Sequence, residues 1–181
     1  GYWKKRLEMF LQNEWERKDK NTVSRTEMVY RVLVRNSDNP LTMEEFEQEY
    51  YQYIRRREYP ESRLQLNLRT AGNHLRNARG VVFNRDNKVR YCEADPQKLW
   101  DDINFNAYKN LIISAELLFR DYADLMEELD IRDGYELFYV LKSSICLWKG
   151  PFEISFRRVP TIIIGNGSEE EQALRLLREI S

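Results

Sequence analysis

The chain has 181 residues, 42% hydrophobic and 33% charged, with a formal net charge of −1. That length suits one larger or two small domains, and the apolar content excludes a chain disordered throughout. No apolar run approaches a membrane span and no signal-peptide core is present, so a cytoplasmic location is expected.

The first residue is Gly1 rather than Met, and the last residues read as an unfinished helix. This points to a fragment of a larger protein, with Gly1 left from a tag. Residues 1–24 carry Trp3, Leu7, Phe10, Leu11 and Trp15 at helical spacing, which predicts an N-terminal helix. "SRTEMVYRVLVRN" places Met28, Val29, Val32 and Leu33 on one face of a second helix. "NPLTMEEFEQEYYQYI" has Thr42 with Glu45 three residues later, a capping box, followed by Phe46, Tyr50, Tyr53 and Ile54. "ESRLQLNLRTAGNHLRNARG" offers Ser62 with Gln65 as a further box and the stripe Leu64, Leu68, Ala71, Leu75 and Ala78. A helix over 62–79 is expected, with Gly80 as its stop.

"VVFNRDNKVRYCE" reads as a hairpin with Asp86-Asn87 at its turn, because Asx residues tolerate positive φ. In the expected register Val82, Val89 and Tyr91 face inward, while Phe83, Arg85, Lys88 and Arg90 share the outer face. "DPQKLWDDINFNAYKN" starts a short helix at Pro96 and then runs as a connector, so a boundary is expected near 94–110. "SAELLFRDYADLMEELDI" shows the stripe Leu118, Tyr122, Leu125 and Leu129, and "RDGYELFYVLKSSI" opens with an Asp133/Glu136 box. "FEISFRRVPTIIIGNG" reads as two strands around an Arg158–Pro160 bend, and Ser168 with Glu171 opens a last helix. The expected fold is mainly α with small β-wings: an N-terminal helix (1–24), a winged helix-turn-helix domain (25–94) and a second helical, degenerate winged-helix domain (95–181).

The chain shows little sign of catalytic chemistry. Cys92 and Cys146 have neither CxxC nor Cys/His ligand spacing and read as free thiols in a reducing compartment. The lone histidine, His74, has no neighbouring ligand, so no metal or other cofactor is expected. Phosphate-cradling glycine loops and a nucleophile elbow are missing from the sequence. The carboxylate runs at 101–102 and 126–130 read as solvated helix faces, and the chain is expected not to be an enzyme.

Charge is distributed unevenly. Residues 54–90 hold ten Lys/Arg and three Asp/Glu, while residues 91–140 hold four Lys/Arg and twelve Asp/Glu. With the leucine stripe of 62–79 set toward a core, Arg69, Thr70, Asn73, Arg76 and Asn77 fall on the opposite face, at about 100° per residue. Arg and Asn bond guanine and adenine edges, and Thr meets phosphate or a thymine methyl. Arg85, Lys88 and Arg90 on the hairpin and Arg55, Arg56 and Arg57 before it would add backbone contacts with duplex DNA. The alternatives are a solvated face, cations that serve a helix C-terminus, or docking of the basic segment on the acidic one within the chain. Leu66 on the outer side fits a protein contact. Residues 95–140, with Tyr135 and Tyr139 read as exposed, suit a protein partner rather than phosphate.

Residues 25–93 resemble a winged helix-turn-helix domain of the HARE-type group, through the first helix, "PLTMEEF", the leucine-striped helix and "VVFNRDNKVRYC". The segment from "YADLMEELDI" to "TIIIG" is similar to repeats in large bacterial multidomain proteins related to sigma factors or to the C-terminal domain of the RNA polymerase alpha subunit. The resemblance implies a non-catalytic DNA-binding module linked to transcription. The other reading is a scaffolding segment without DNA contact.

Overall fold

Local capping explains where the first helices start. In the computed structural model, which describes Leu7 and residues 18–165, Ser24 Oγ accepts a hydrogen bond from the Glu27 amide at 3.1 Å and opens α1 (Arg25–Arg35). Its buried face is Met28, Val29, Val32 and Leu33, the face expected from spacing. Thr42 and Glu45 form the reciprocal capping box of α2 (Met43–Arg56), which buries Phe46, Tyr50 and Ile54. The N-terminal stripe apart from Leu7 and the Ser168/Glu171 box lie outside the described residues.

The third helix is shorter than expected. The expected span 62–79 resolves into a 3-10 turn (Glu61–Arg63), an extended link, and α3 (Leu68–Leu75). Ser62 makes no cap; Asn67 Oδ1 accepts from the Thr70 amide at 3.0 Å instead. The reason lies in α2. The Tyr50 hydroxyl donates to the Leu64 carbonyl at 2.7 Å, and the Leu66 amide donates to the Tyr51 hydroxyl oxygen at 3.0 Å. These backbone groups are therefore engaged by tyrosines rather than by a helical ladder. Gly80, at φ +83°, serves the turn into the hairpin rather than the helix stop, and a Cβ there would lie 2.6 Å from the Tyr91 ring.

Strands β1 (Val81–Phe83) and β2 (Val89–Tyr91) pair antiparallel, with Val82 opposite Arg90. Asn84 Oδ1 accepts from the Asp86 and Lys88 amides, and Asn87 takes φ 60°, so the turn falls where the Asx residues predict it. Leu41, between α1 and α2, adds a bridge to Val89 through both backbone hydrogen bonds. The hairpin does not have the expected inner and outer faces. Val81, Val82, Phe83, Val89 and Arg90 are all buried, and Tyr91 is half-buried. Strand β2 packs on α1 and strand β1 on a helix of the second half.

That half begins with α4 (Pro96–Asp102), capped by Asp95, and a 3-10 turn (Phe105–Tyr108). Strand β3 (Leu111–Ser114) follows where the sequence reading names no element between the connector ending at Asn110 and the helix starting at Ser114. Then come α5 (Ala115–Asp121) and α6 (Ala123–Glu128), separated by a break at Tyr122, and α7 (Gly134–Ser143). The break rotates the expected stripe: Leu118 and Met126 are buried, whereas Tyr122, Leu125 and Leu129 are half-buried. Strands β4 (Ile154–Phe156) and β5 (Thr161–Ile164) form the expected pair, and β3 joins it in the order β3-β5-β4.

The described residues thus form a mixed α/β structure with two small antiparallel sheets. The same order occurs twice: helix, strand residue or strand, helical segment, helix, then two strands. In both halves the early strand pairs with the last one, as Leu41 with β2 and β3 with β5. The expected boundary near 94–110 is not a gap in packing, because Trp100, Ile103 and Phe105 join one buried cluster that runs from Val23 to Ile164. Cys92 is buried and Cys146 exposed, both as free thiols. No helix among the described residues is long and apolar enough to cross a membrane.

Tyr50 gives a test of the α2 packing. Burial pushes its phenol up from 10.0 to about 12. A raised pKa contributes stability that is intact below pH 10.0 and lost as pH climbs toward about 12. Tyr50→Phe should lower stability at neutral pH by about 1 kcal/mol, since the buried Leu64 carbonyl loses its donor, yet show a shallower loss on the alkaline side. Urea titrations at a series of alkaline pH values measure both effects.

Candidate nucleic-acid interface

The eight residues named by the sequence divide into two groups. Arg69, Thr70, Asn73 and Asn77 are exposed on one side of α3 and its C-terminal turn. The Asn77 side chain donates back to the Asn73 carbonyl at 3.1 Å, closing the exposed turn after the helix. Between Glu61 and Asp86 there is no Asp or Glu, whereas Arg63, Arg69, Arg76, Arg79 and Arg85 fall in that interval. Within α3 itself Arg69 is the cation, and it has no carboxylate near it in sequence.

The second group serves the fold. Arg76 is half-buried, not outward-facing: its guanidinium donates to the Tyr139 hydroxyl at 2.8 Å and to Asn87 Oδ1, and lies 4.1 Å from the Phe83 ring centroid. Tyr139, read from the sequence as exposed, is 5% exposed, and Tyr135 is half-buried. Arg85 stays exposed, but its guanidinium pairs with Glu116 and its amide donates to Asp133 Oδ2 at 2.9 Å. Lys88 is half-buried beside the Glu45 carboxylate. Arg55 pairs with Glu61 at 2.6 Å, and Arg57 stacks 3.9 Å from the Tyr53 ring centroid, while Arg56 is exposed.

Arg90 is the largest correction. It is 2% exposed and cannot share an outer face with Arg85. Nε donates to Glu136 Oε2 at 2.7 Å and Nη2 to Glu136 Oε1 at 2.9 Å, a two-pronged pair. Nη2 also donates to the Asp130 carbonyl, and Nη1 to the Ser37 carbonyl at 3.4 Å. Glu136 is fully buried, and its Oε1 accepts a further bond from the Arg132 amide at 2.9 Å. Asp133 caps α7 as expected, but Glu136 reaches the hairpin rather than completing a box. Burial draws the Arg90 pKa down, and Glu136, with Cys92 and Asp130, more than offsets it, so the group stays cationic. Arg132, beside Asp130, holds that carboxyl below its usual range. Burial raises the Cys92 thiol.

Sequence reasoning missed Glu116, Asp130, Asp133 and Glu136 as the partners of these arginines. The available signal was the opposite charge of residues 54–90 and 91–140, and part of that complementarity is realised inside the molecule. His74 is exposed, and no group of three or more His, Cys, Asp or Glu among the described residues is placed to hold a metal ion.

A second surface feature adjoins α3. A groove of about 520 Å³ runs between the start of α1 and α3, with Val23, Val29, Leu64, Ala71 and Leu75 in its lining. Comparison with known proteins finds no matching family model, curated protein or solved structure.

Removing one member of the Arg90–Glu136 pair leaves a buried charge with lost partners, which costs about 3–5 kcal/mol. Glu136→Leu should therefore lower unfolding stability by that amount. Arg90→Met/Glu136→Leu should recover most of it, because two apolar groups of similar volume replace two desolvated charges. Equilibrium denaturation of the three proteins measures the recovery. Equal losses in the single and double variants would refute it.

Proposed function

We propose that the chain is a non-catalytic module that binds duplex DNA through the exposed face of α3. The observation that carries this reading is the set Arg69, Thr70, Asn73 and Asn77, exposed together in a stretch with no carboxylate between Glu61 and Asp86. Arg supplies a fork for guanine or phosphate, Asn can bond adenine, and Thr can meet a phosphate. The order α1, Leu41, α2, α3, β1, β2, with Leu41 paired to β2, supports a winged-helix unit over 25–94 in which α3 is the helix presented to a groove. The parallel order from α4 to β5 supports a second such unit from residue 95. In this reading the second unit does not touch the duplex. The corresponding helix, α7, buries Leu137, Phe138, Tyr139, Val140 and Leu141 and packs on the first unit's hairpin.

The hairpin has a reduced role. Arg90 is withdrawn, and Arg85 and Lys88 remain as cations beside the turn for backbone contact, with Arg85 shared with Glu116. A transcription-linked role in a larger bacterial protein rests on the sequence resemblance. One observation favours a second reading, scaffolding by a protein partner: Asp101, Asp102, Asp124 and Glu127 are exposed on α4 and α6, within the acidic residues 95–140.

Fluorescence anisotropy of labelled random duplex DNA tests the DNA reading. Binding should weaken as salt rises, and Arg69→Glu should reduce the salt slope by about 1 and weaken binding to all sequences. Arg76 is unsuitable for this test because its loss would also disturb Tyr139. No binding at low salt, or binding equal to wild type in Arg69→Glu/Asn73→Glu, would overturn the reading and turn the search to partners of the acidic face.

A further inference from the structure

The exposed residues on and after α3 are not equally free to read a sequence. Leu75 is buried and Leu68, Ala71 and Gly72 are half-buried, so these four mark the side of α3 that faces the body. A Cβ on Gly72 would lie 3.7 Å from Met43 Cε of α2. At about 100° per residue, Asn73 and Thr70 lie about 30° from the direction opposite that side, and Arg69 about 70° from it. A helix seated in a major groove turns its central side chains to base edges and its flanks to the phosphates of the two strands. Arg69 therefore has the position of a phosphate contact, and the middle of the face has the position of a base contact. Arg69 is also the cation of α3, so the helix brings little charge that would hold any duplex regardless of sequence.

Hydrogen bonds then separate the central residues. The Asn77 amide is held back against the Asn73 carbonyl at 3.1 Å, which turns it toward the helix backbone. Thr70 carries a single hydroxyl and lines the groove beside α1. The Asn73 side chain is exposed and has no hydrogen bond to any described residue. Its amide donor and carbonyl acceptor are both available and lie side by side. Adenine presents the matching pair in the major groove, an N7 acceptor beside an N6 donor. Guanine presents two acceptors there, which suit an arginine fork, and cytosine and thymine present one hydrogen-bonding group each.

We infer that Asn73 is the specificity-determining residue of the α3 face, and that the duplexes it selects carry an adenine whose N6 and N7 it bonds in the major groove. Arg69, one helical turn earlier, positions the helix on the phosphate backbone. This inference rests on the duplex-binding reading of α3 and narrows it to one residue and one base.

The probe is a pool of DNA duplexes with a randomised central segment. The full chain is mixed with the pool, and bound duplexes are separated by gel shift and sequenced. One position should emerge as A·T. Asn73→Ala should lose that preference, and its affinity for the selected duplex should fall at least about fivefold, the scale of one bidentate base contact. Arg69→Ala should instead weaken all duplexes together and keep the A·T preference. The analogue 7-deazaadenine at the selected position removes the N7 acceptor and keeps the base pair, so it should weaken wild type by a similar factor and make no difference to Asn73→Ala. Circular dichroism melting checks that the variants are folded. The base analogue keeps the test decisive with wild type alone. Binding without preference at any position, a preference that survives Asn73→Ala, or an A·T preference insensitive to 7-deazaadenine would each overturn the inference while leaving α3 as a duplex contact. Wild type that binds no member of the pool at low salt would overturn the duplex reading and this inference with it.

Discussion

The contact on which the described structure depends is the buried pair between Arg90 of β2 and Glu136 of α7. Two charges without solvent are costly to bury, and here the cost is met by complete hydrogen bonding: both carboxylate oxygens of Glu136 and all three guanidinium nitrogens of Arg90 have partners. Such a pair contributes little net stability over an apolar replacement. It does fix geometry, because the two-pronged contact forms in only one alignment of hairpin and helix. Around it the apolar surfaces close: Phe83 meets Tyr139, and Met28, Val32 and Leu33 of α1 belong to the same buried cluster.

This alignment makes the hairpin an inner layer. A two-stranded ribbon is marginal by itself, and here β1 packs on α7 and β2 on α1, with the residues of both strands buried or half-buried. The same arrangement takes the hairpin strands out of solvent. It leaves α3, with Arg69, as the exposed helix of the first half and makes α7 the buried helix of the second. Two halves with the same order of elements therefore present different surfaces. The difference comes from which helix is presented and which is packed, not from the elements themselves.

The acidic residues of the second half have two roles that sequence cannot separate. Glu116, Asp133 and Glu136 hold the hairpin arginines and the turn, while Asp101, Asp102, Asp124 and Glu127 remain in solvent. All seven look alike in a charge count. Their separation depends on distance in the fold, since Glu136 is forty-six positions from Arg90 along the chain.

The sequence by itself determined the elements whose signals are local. The face of α1, the Thr42–Glu45 box, the Asx turn of the hairpin, the Pro96 start of α4 and the β4–β5 pair all follow from periodicity, capping and turn chemistry within a few residues. It also showed the Arg69, Thr70, Asn73, Asn77 set, because helical spacing needs only the one helix. Tertiary structure decided the rest. The Tyr50 and Tyr51 hydroxyls shortened the third helix from outside it, and β3 formed because β5 offered an edge. Arg76, Arg85 and Arg90 were drawn to Tyr139, Glu116 and Glu136 by contacts that close only once distant segments meet. An arginine's spacing gives its side of a helix or strand; whether that side faces solvent or another part of the protein is set by packing.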